Sequence, residues 1–326
     1  MDFRTKIEIP QSGLQISHKS RILMFGSCFI ENVGRLLIGN KFKANLNPFG
    51  VLYNPQSISQ ALQLLVNEPV FTVDDIFEYK GLYHSFFHHS SFSHSDKEKC
   101  LAQINRKLKH ASDDLRQADV LFITFGTAYV FRNKESGEVV GNCHKLPADY
   151  FDRYRLNVGD IVEDWSNLLK QLKGINPSLQ VVFTVSPIRH LKDGAHDNQL
   201  GKSVLLLAID ELCRSDKSLH YFPSYEIVLD ELRDYRFYNE DMVHPNSVAV
   251  RYIWERLAAT YMHNETHLII DEWRKILLAL NHRPLNADSE EYKLFLRQTL
   301  LKLKVFNEKY PYICCEGEIS DIENRI

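Results

Sequence analysis

Two short stretches carry residue types that could do covalent chemistry together. Residues 25–29 read FGSCF, which sets Gly26 and Ser27 where an apolar run gives way to helical spacing. A hydroxyl at such a junction projects from the carboxyl edge of a sheet, where ligands of open α/β folds bind, and the amides that open a helix are free to receive developing negative charge. Gly26 lets the chain turn there without a Cβ clash. Much later, residues 239–246 read NEDMVHPN. An Asp three residues ahead of a His, on a loop that leads into a helix, can bring its carboxylate to the imidazole Nδ1–H. That contact fixes the tautomer and leaves Nε2 to accept a proton from a hydroxyl. Ser27, His244 and Asp241 are thus the candidate nucleophile, base and orienting carboxylate. Each stretch alone also has a plainer reading, Ser27 as a helix N-cap and DMVHPN as a polar loop with a helix-initiating Pro245.

Other polar residues follow apolar runs at the same predicted edge. Thr127 comes directly after the second run, and Asn142 and His144 lie in the turn NCHKLP at 142–147. An amide or imidazole there could donate to an oxyanion, or the Asn could satisfy its own backbone. Arg189, His190 and Lys192 follow the third run, where Arg189 could pair with an anionic substrate group or stand as a surface cation. Cys28 reads as a packed small residue, because neighbours at a strand-to-helix turn point in different directions. The stretch 82–96, LYHSFFHHSSFSHSD, brings together His84, His88, His89 and His94. No carboxylate or third ligand follows at a diagnostic spacing, so a hairpin or irregular insertion lining the cleft is expected and no metal.

The elements that must hold these residues show in the hydrophobic pattern. Three nearly continuous apolar runs, 21–26 (RILMFG), 119–126 (DVLFITFG) and 180–187 (QVVFTVSP), end in turn residues, as strands buried on both faces of a parallel sheet do. Segments 218–223 and 41–46 are further strand candidates. Helical spacing predicts helices over 29–38, 58–66, 97–116, 158–173, 203–214 and 247–262. Strands alternating with helices predict an α/β sandwich whose order is compatible with a flavodoxin-like sheet. From about residue 263 the pattern changes to two amphipathic helices, 269–280 and 290–306. The division expected is a catalytic domain over 1–262, with an insertion around 68–118, and a C-terminal helical appendage over 263–326.

The bulk numbers exclude several classes. With 39 basic and 42 acidic side chains, a net charge of −3 gives no reason to expect a nucleic acid partner. No apolar stretch approaches the roughly 20 residues that cross a bilayer. The opening residues lack the apolar run and cleavage site of an export signal, so a cytoplasmic location is expected. The six cysteines show no CxxC or Cys/His zinc spacing and are expected as free thiols. Adjacent Cys314 and Cys315 read as part of a packed or frayed tail.

FGSCF and DMVHPN occur together with NPFGVLYNP at 47–55, TFGTAYVF at 124–131, NCHKLP at 142–147 and SPIRHLKDG at 186–194. In this order, over about residues 20–260, they resemble the GSCFA family, a branch related to SGNH hydrolases, with Ile30 where the signature usually has Ala. The resemblance implies a three-layer α/β/α sandwich with a mostly parallel, flavodoxin-like sheet. It places the nucleophile block on Gly26 and Ser27, the oxyanion glycine on Gly50 and the Asp-x-x-His block on Asp241 and His244. The third block departs from the pattern. Where Gly-x-Asn is usual the chain reads Gly126, Thr127, Ala128, so a side-chain donor is missing; Asn142 and His144 are the candidates to replace it, with Thr127 next, and Ser27 and Gly50 supply amides. The chemistry implied is a serine-dependent carboxylic-ester hydrolase, an O-acyl or O-acetyl esterase on a small-molecule or carbohydrate ester, with no cofactor. An O-acyltransferase using the same triad, or a non-catalytic ligand-binding domain of the same fold, are the alternatives. The oligomeric state is not legible.

Overall fold

The computed structural model describes residues 4–10 and 12–326. Five parallel strands form the central sheet: β1 (Arg21–Gly26), β2 (Lys43–Leu46), β5 (Val120–Phe125), β9 (Gln180–Val185) and β10 (Leu219–Tyr221). They lie in the order β10-β9-β5-β1-β2. The sheet is therefore wound outward in both directions from β1 and β5, the flavodoxin-like order, and its switch point falls between the ends of these two strands.

Because side chains alternate across a strand, the apolar runs divide into two buried sets. Leu23, Phe25, Leu121, Ile123, Phe125, Val181 and Phe183 face one helical layer. That layer comprises α2 (Pro55–Asn67), α3 (Lys97–Gln117), α4 (Val158–Ile175) and α5 (Ala195–Ser215). Ile22, Met24, Val120, Phe122 and Val182 face the other, made by α1 (Cys28–Gly39) and α7 (Ser247–Tyr261). The three-layer sandwich follows directly from runs too apolar to leave either face wet. α7 is capped by Asn246, whose side chain accepts from the Val248 and Ala249 amides at 3.1 Å each. The helix thus starts from the Asn, and Pro245 instead bridges to Tyr238.

Two small antiparallel sheets sit beside this frame. One is the hairpin of β3 (Phe77–Tyr79) and β4 (Leu82–His84); the other has the order β7-β6-β8, from β6 (Tyr129–Asn133), β7 (Val139–Val140) and β8 (Phe151–Arg155). The strands YVFRN and FDRYR are half polar and hold no apolar run, so hydrophobic pattern alone does not mark them. A one-turn helix α6 (Ser224–Glu226) runs into a π-helical turn, Ile227–Glu231.

Beyond α7, three helices pack on one another: α8 (Asn264–Leu280), α9 (Glu290–Lys309) and α10 (Glu316–Glu323). They share a core of their own that includes Trp273, Leu296, Leu303, Phe306, Cys315 and Ile322. Two side chains tie them to the end of α1. The Trp273 indole N–H donates to the Gly39 carbonyl at 2.7 Å, and the Lys41 ammonium reaches the Cys314 carbonyl and Glu318. Among the described residues no helix is long and apolar enough to cross a membrane.

Candidate active site

The turn that presents Ser27 is built by three segments. Gly26 has φ +146°, and a Cβ there would run into the Thr124 carbonyl and come within 2.7 Å of the Thr124 side chain. Only glycine lets β1 and β5 stay paired to their very ends. The Gly26 N–H donates to Asn47 Oδ1 at 2.9 Å, and its carbonyl accepts from the Leu52 amide at 3.2 Å. Ser27 then caps α1, its Oγ accepting from the Phe29 N–H at 3.3 Å. The cap reading and the cleft position hold together, since Ser27 is only 1% exposed yet lines a cleft of about 920 Å³ at the switch point.

His244 lines the same cleft. Its Nδ1–H donates to Asp241 Oδ2 at 2.6 Å, while Asp241 Oδ1 accepts the backbone N–H groups of His244 and Val243 at 2.9 Å each. These two amides, followed by the imidazole N–H, hold the carboxyl down at about 2. Asp241 is therefore a carboxylate, and Nε2 of His244 is left as the ring's acceptor. Both side chains are nearly half exposed. Their loop is secured from one side by Arg189, whose guanidinium donates to the Met242 carbonyl and lies 4.7 Å from the Tyr238 ring centre. Arg189 also borders the cleft, so the same guanidinium that steadies the loop stands beside the space a substrate would enter.

The remaining expected residues divide. Thr127, Asn142, His190 and Lys192 line the cleft. Asn142 Oδ1 accepts from the His144 N–H at 2.8 Å, which orients the amide and leaves its NH₂ end as a donor. Thr127 Oγ1 accepts from the Tyr129 amide. Gly50 fails as an oxyanion donor: its N–H is spent on the Asn47 carbonyl at 2.7 Å, and its α-carbon packs against His89, outside the cleft. His144 is also absent from the cleft. It is buried, donates Nε2–H to the Ser85 carbonyl at 2.9 Å and packs 4.5 Å from the His84 ring. The His-rich stretch does begin in a hairpin, yet it lies behind the cleft, where the Phe86 carbonyl accepts the Gly141 and Asn142 amides. His84 is tied to Ser93 and Tyr79, and His88 stacks on Phe49 at 4.6 Å. Among the described residues no group of three or more His, Cys, Asp or Glu side chains is arranged to hold a metal ion. Cys28 borders the cleft half-buried, and burial pushes its thiol up, away from the reactive thiolate.

Three residues that pattern reading passed over shape the site. Asn47 takes the left-handed φ of +47° that Asn tolerates and holds Gly26. Tyr53 accepts the Gly126 and Thr127 amides on its carbonyl, at 2.7 and 2.9 Å, so neither amide is free to act on a ligand. Lys202, 1% exposed, donates to the Gly126 and Ser186 carbonyls at 2.6 Å each and so clamps the ends of β5 and β9. The predicted helix began at residue 203, whereas α5 starts at Ala195 through the polar AHDNQLG, which hides the turn that buries the lysine.

Burial lowers the Lys202 ammonium from 10.5 to about 7. Between these values the unfolded chain binds a proton that the folded chain lacks, so this group adds stability as pH rises through that window. Lys202→Met should flatten the pH 7 to 10.5 segment of the unfolding free energy, as measured by denaturant titration. An unchanged slope would refute the assignment.

Fold and cleft together define an open α/β protein with its cleft at the carboxyl edge of a flavodoxin-like sheet. The GSCFA family model matches residues 21–257, and that of the GSCFA domain protein, C-terminal domain, matches residues 273–326. The chain belongs to the GSCFA family. No curated protein sequence matches it. Among solved structures it is similar to a Clostridium thermocellum family 3 carbohydrate esterase, at 10% identity and a TM-score of 0.35, over 79% of this chain and 98% of that one. It is also similar to a family 3 carbohydrate esterase from Talaromyces cellulolyticus, at 9% identity and 0.34, over 77% and 99%. A third is the acetyl xylan esterase Est2A of the rumen bacterium Butyrivibrio proteoclasticus, at 13% and 0.38, over 83% and 66%.

Proposed function

We propose that the protein hydrolyses a carboxylic ester through an acyl-Ser27 intermediate. One observation carries this reading: a buried strand-end serine and an imidazole oriented by a carboxylate line a single cleft. Ser27 Oγ attacks the acyl carbonyl while His244 Nε2 takes its proton, then returns that proton to the departing alcohol. The same imidazole next draws a proton from water, whose oxygen attacks the acyl carbon, and gives that proton back to Ser27 Oγ as the ester bond to the serine breaks and the acid leaves. Asp241 keeps the ring in the required tautomer and offsets its transient positive charge. The Ser27 N–H at the start of α1 and the Asn142 amide hold the oxyanion.

An O-acyl or O-acetyl group on a sugar suits the lining. Tyr53, Tyr129 and Phe131 offer flat apolar faces beside Thr127 and Asn142, which can bond to hydroxyls. A fluorophosphonate probe should label the protein at Ser27. Folded protein that resists labelling would instead be a ligand-binding module. Adding a sugar acceptor during ester turnover separates hydrolase from acyltransferase, since the latter releases little free acid when acceptor is abundant.

A further inference from the structure

Withdrawing Gly50 and lacking the third-block Asn leave the proposed oxyanion short of a donor, and two side chains of the cleft keep a buried nitrogen without a partner among the described residues, Arg189 at Nε and His190 at Nε2. His190 lines the cleft, and its Nε2 is buried without a hydrogen-bond partner among the described residues. It lies close to the proposed nucleophile, beside Gly126. The point where a side chain on that glycine would begin lies 3.5 Å from Ser27 Cβ and 3.6 Å from His190 Nε2. A side chain there would press on the Tyr53 carbonyl oxygen at 2.9 Å and touch both serine and imidazole, so glycine keeps the two within about 7 Å of each other.

We propose that His190 is a catalytic residue whose Nε2–H donates to the oxyanion formed at Ser27. This rests on the esterase reading above. The ring is held in place: its backbone N–H donates to Asn198 Oδ1 at 2.8 Å, and its edge meets Tyr53 with centroids 6.2 Å apart at 84°. Burial lowers its titration to about 4, with the Lys202 cation adding to this, Asp193 opposing it, and His244 and Arg153 lowering it further. The imidazole is therefore neutral at physiological pH and carries a single N–H. A neutral ring can polarise a carbonyl without titrating in the working range. It is correspondingly a poor base, and among the described residues no carboxylate bonds to it as Asp241 does to His244. The two imidazoles divide the labour: one moves the proton and the other steadies the charge.

The test uses the full-length protein with a short acyl ester and the matching thiono ester, whose sulfur is a weak hydrogen-bond acceptor. His190→Ala should lower kcat by about 10²–10³-fold, the usual cost of one oxyanion donor, with KM changed by less than about threefold. His190→Gln, which keeps an N–H, should recover at least about tenfold of that loss. The preference of the wild type for the oxo over the thiono ester should shrink in the Ala variant and return in the Gln variant. The acidic limb of the pH–rate profile should stay in place in both. An unchanged kcat, an effect confined to KM, no recovery by Gln, or an acidic limb that moves with the Gln variant would each overturn the assignment. Fluorophosphonate labelling of Ser27 separates the two readings. Labelled wild type with unaffected His190 variants refutes only the donor role, whereas wild type that neither labels nor turns over ester refutes both. Should the Ala variant fail to fold, the Gln variant alone decides by its thiono preference and its pH profile.

Discussion

Ser27→Ala should lower kcat for a short acyl ester by about four to six orders of magnitude while the protein stays folded. In the mechanism proposed here the hydroxyl is the only group that bonds covalently to the acyl carbon, so no neighbour can take its place in kind. Cys28 borders the same cleft, but its thiol is pushed up by burial and it projects from the next position along α1. Structurally, Ser27 Oγ accepts just the Phe29 amide. Losing that cap costs about 1 kcal/mol, a few degrees of melting temperature at most in a chain of this size. The measurement is kcat beside a thermal melt. A variant within tenfold of wild type in kcat, with matching KM, would remove Ser27 from the chemistry altogether.

Asp241→Asn should cost about 10⁴ in kcat, through tautomer choice and not through collapse of the loop. Asparagine keeps an oxygen for the Val243 and His244 amides, so the local turn survives. Its NH₂ end then faces Nδ1, and the ring answers by carrying its proton on Nε2, the atom that must accept from Ser27. Stability offers an independent check. The carboxyl is held at about 2 instead of its ordinary 3.8, so its contribution is complete above the latter value and is lost as pH falls through the former. Wild type should exceed the Asn variant in stability at neutral pH and converge with it in that acidic window. Equal kcat in the two proteins would mean that the carboxylate does not orient the base.

What could be read before the fold was known depended on range. Runs such as VLFITF and QVVFTV announce strands because burial on both faces forces continuity, and the sheet follows from them. The bond between Asp241 and His244 spans three residues, so spacing alone nearly determines it. Gly50 was misassigned because a motif fixes residue type and not where an amide points; the turn to Asn47 takes that N–H. The loop contact of Arg189 and the clamp made by Lys202 escaped for a related reason. Each acts on a carbonyl far away in sequence, at Met242, Gly126 or Ser186, and backbone carbonyls leave no mark in the letters. β6 and β8 pair through half-polar strands whose alternation is too irregular to stand out.

Both ends of α1 are occupied. Ser27 opens it, and at its far end the Gly39 carbonyl is held by Trp273 while Lys41 is held by α10. Twelve residues make a rod about 18 Å long, so the C-terminal helices are moored to the very strut that carries the Ser27 hydroxyl. Anyone trimming this chain to a minimal unit at the end of α7 would cut that mooring. The excised fragment would retain every residue of the proposed chemistry and yet lose the outer bearing of the helix that Ser27 opens.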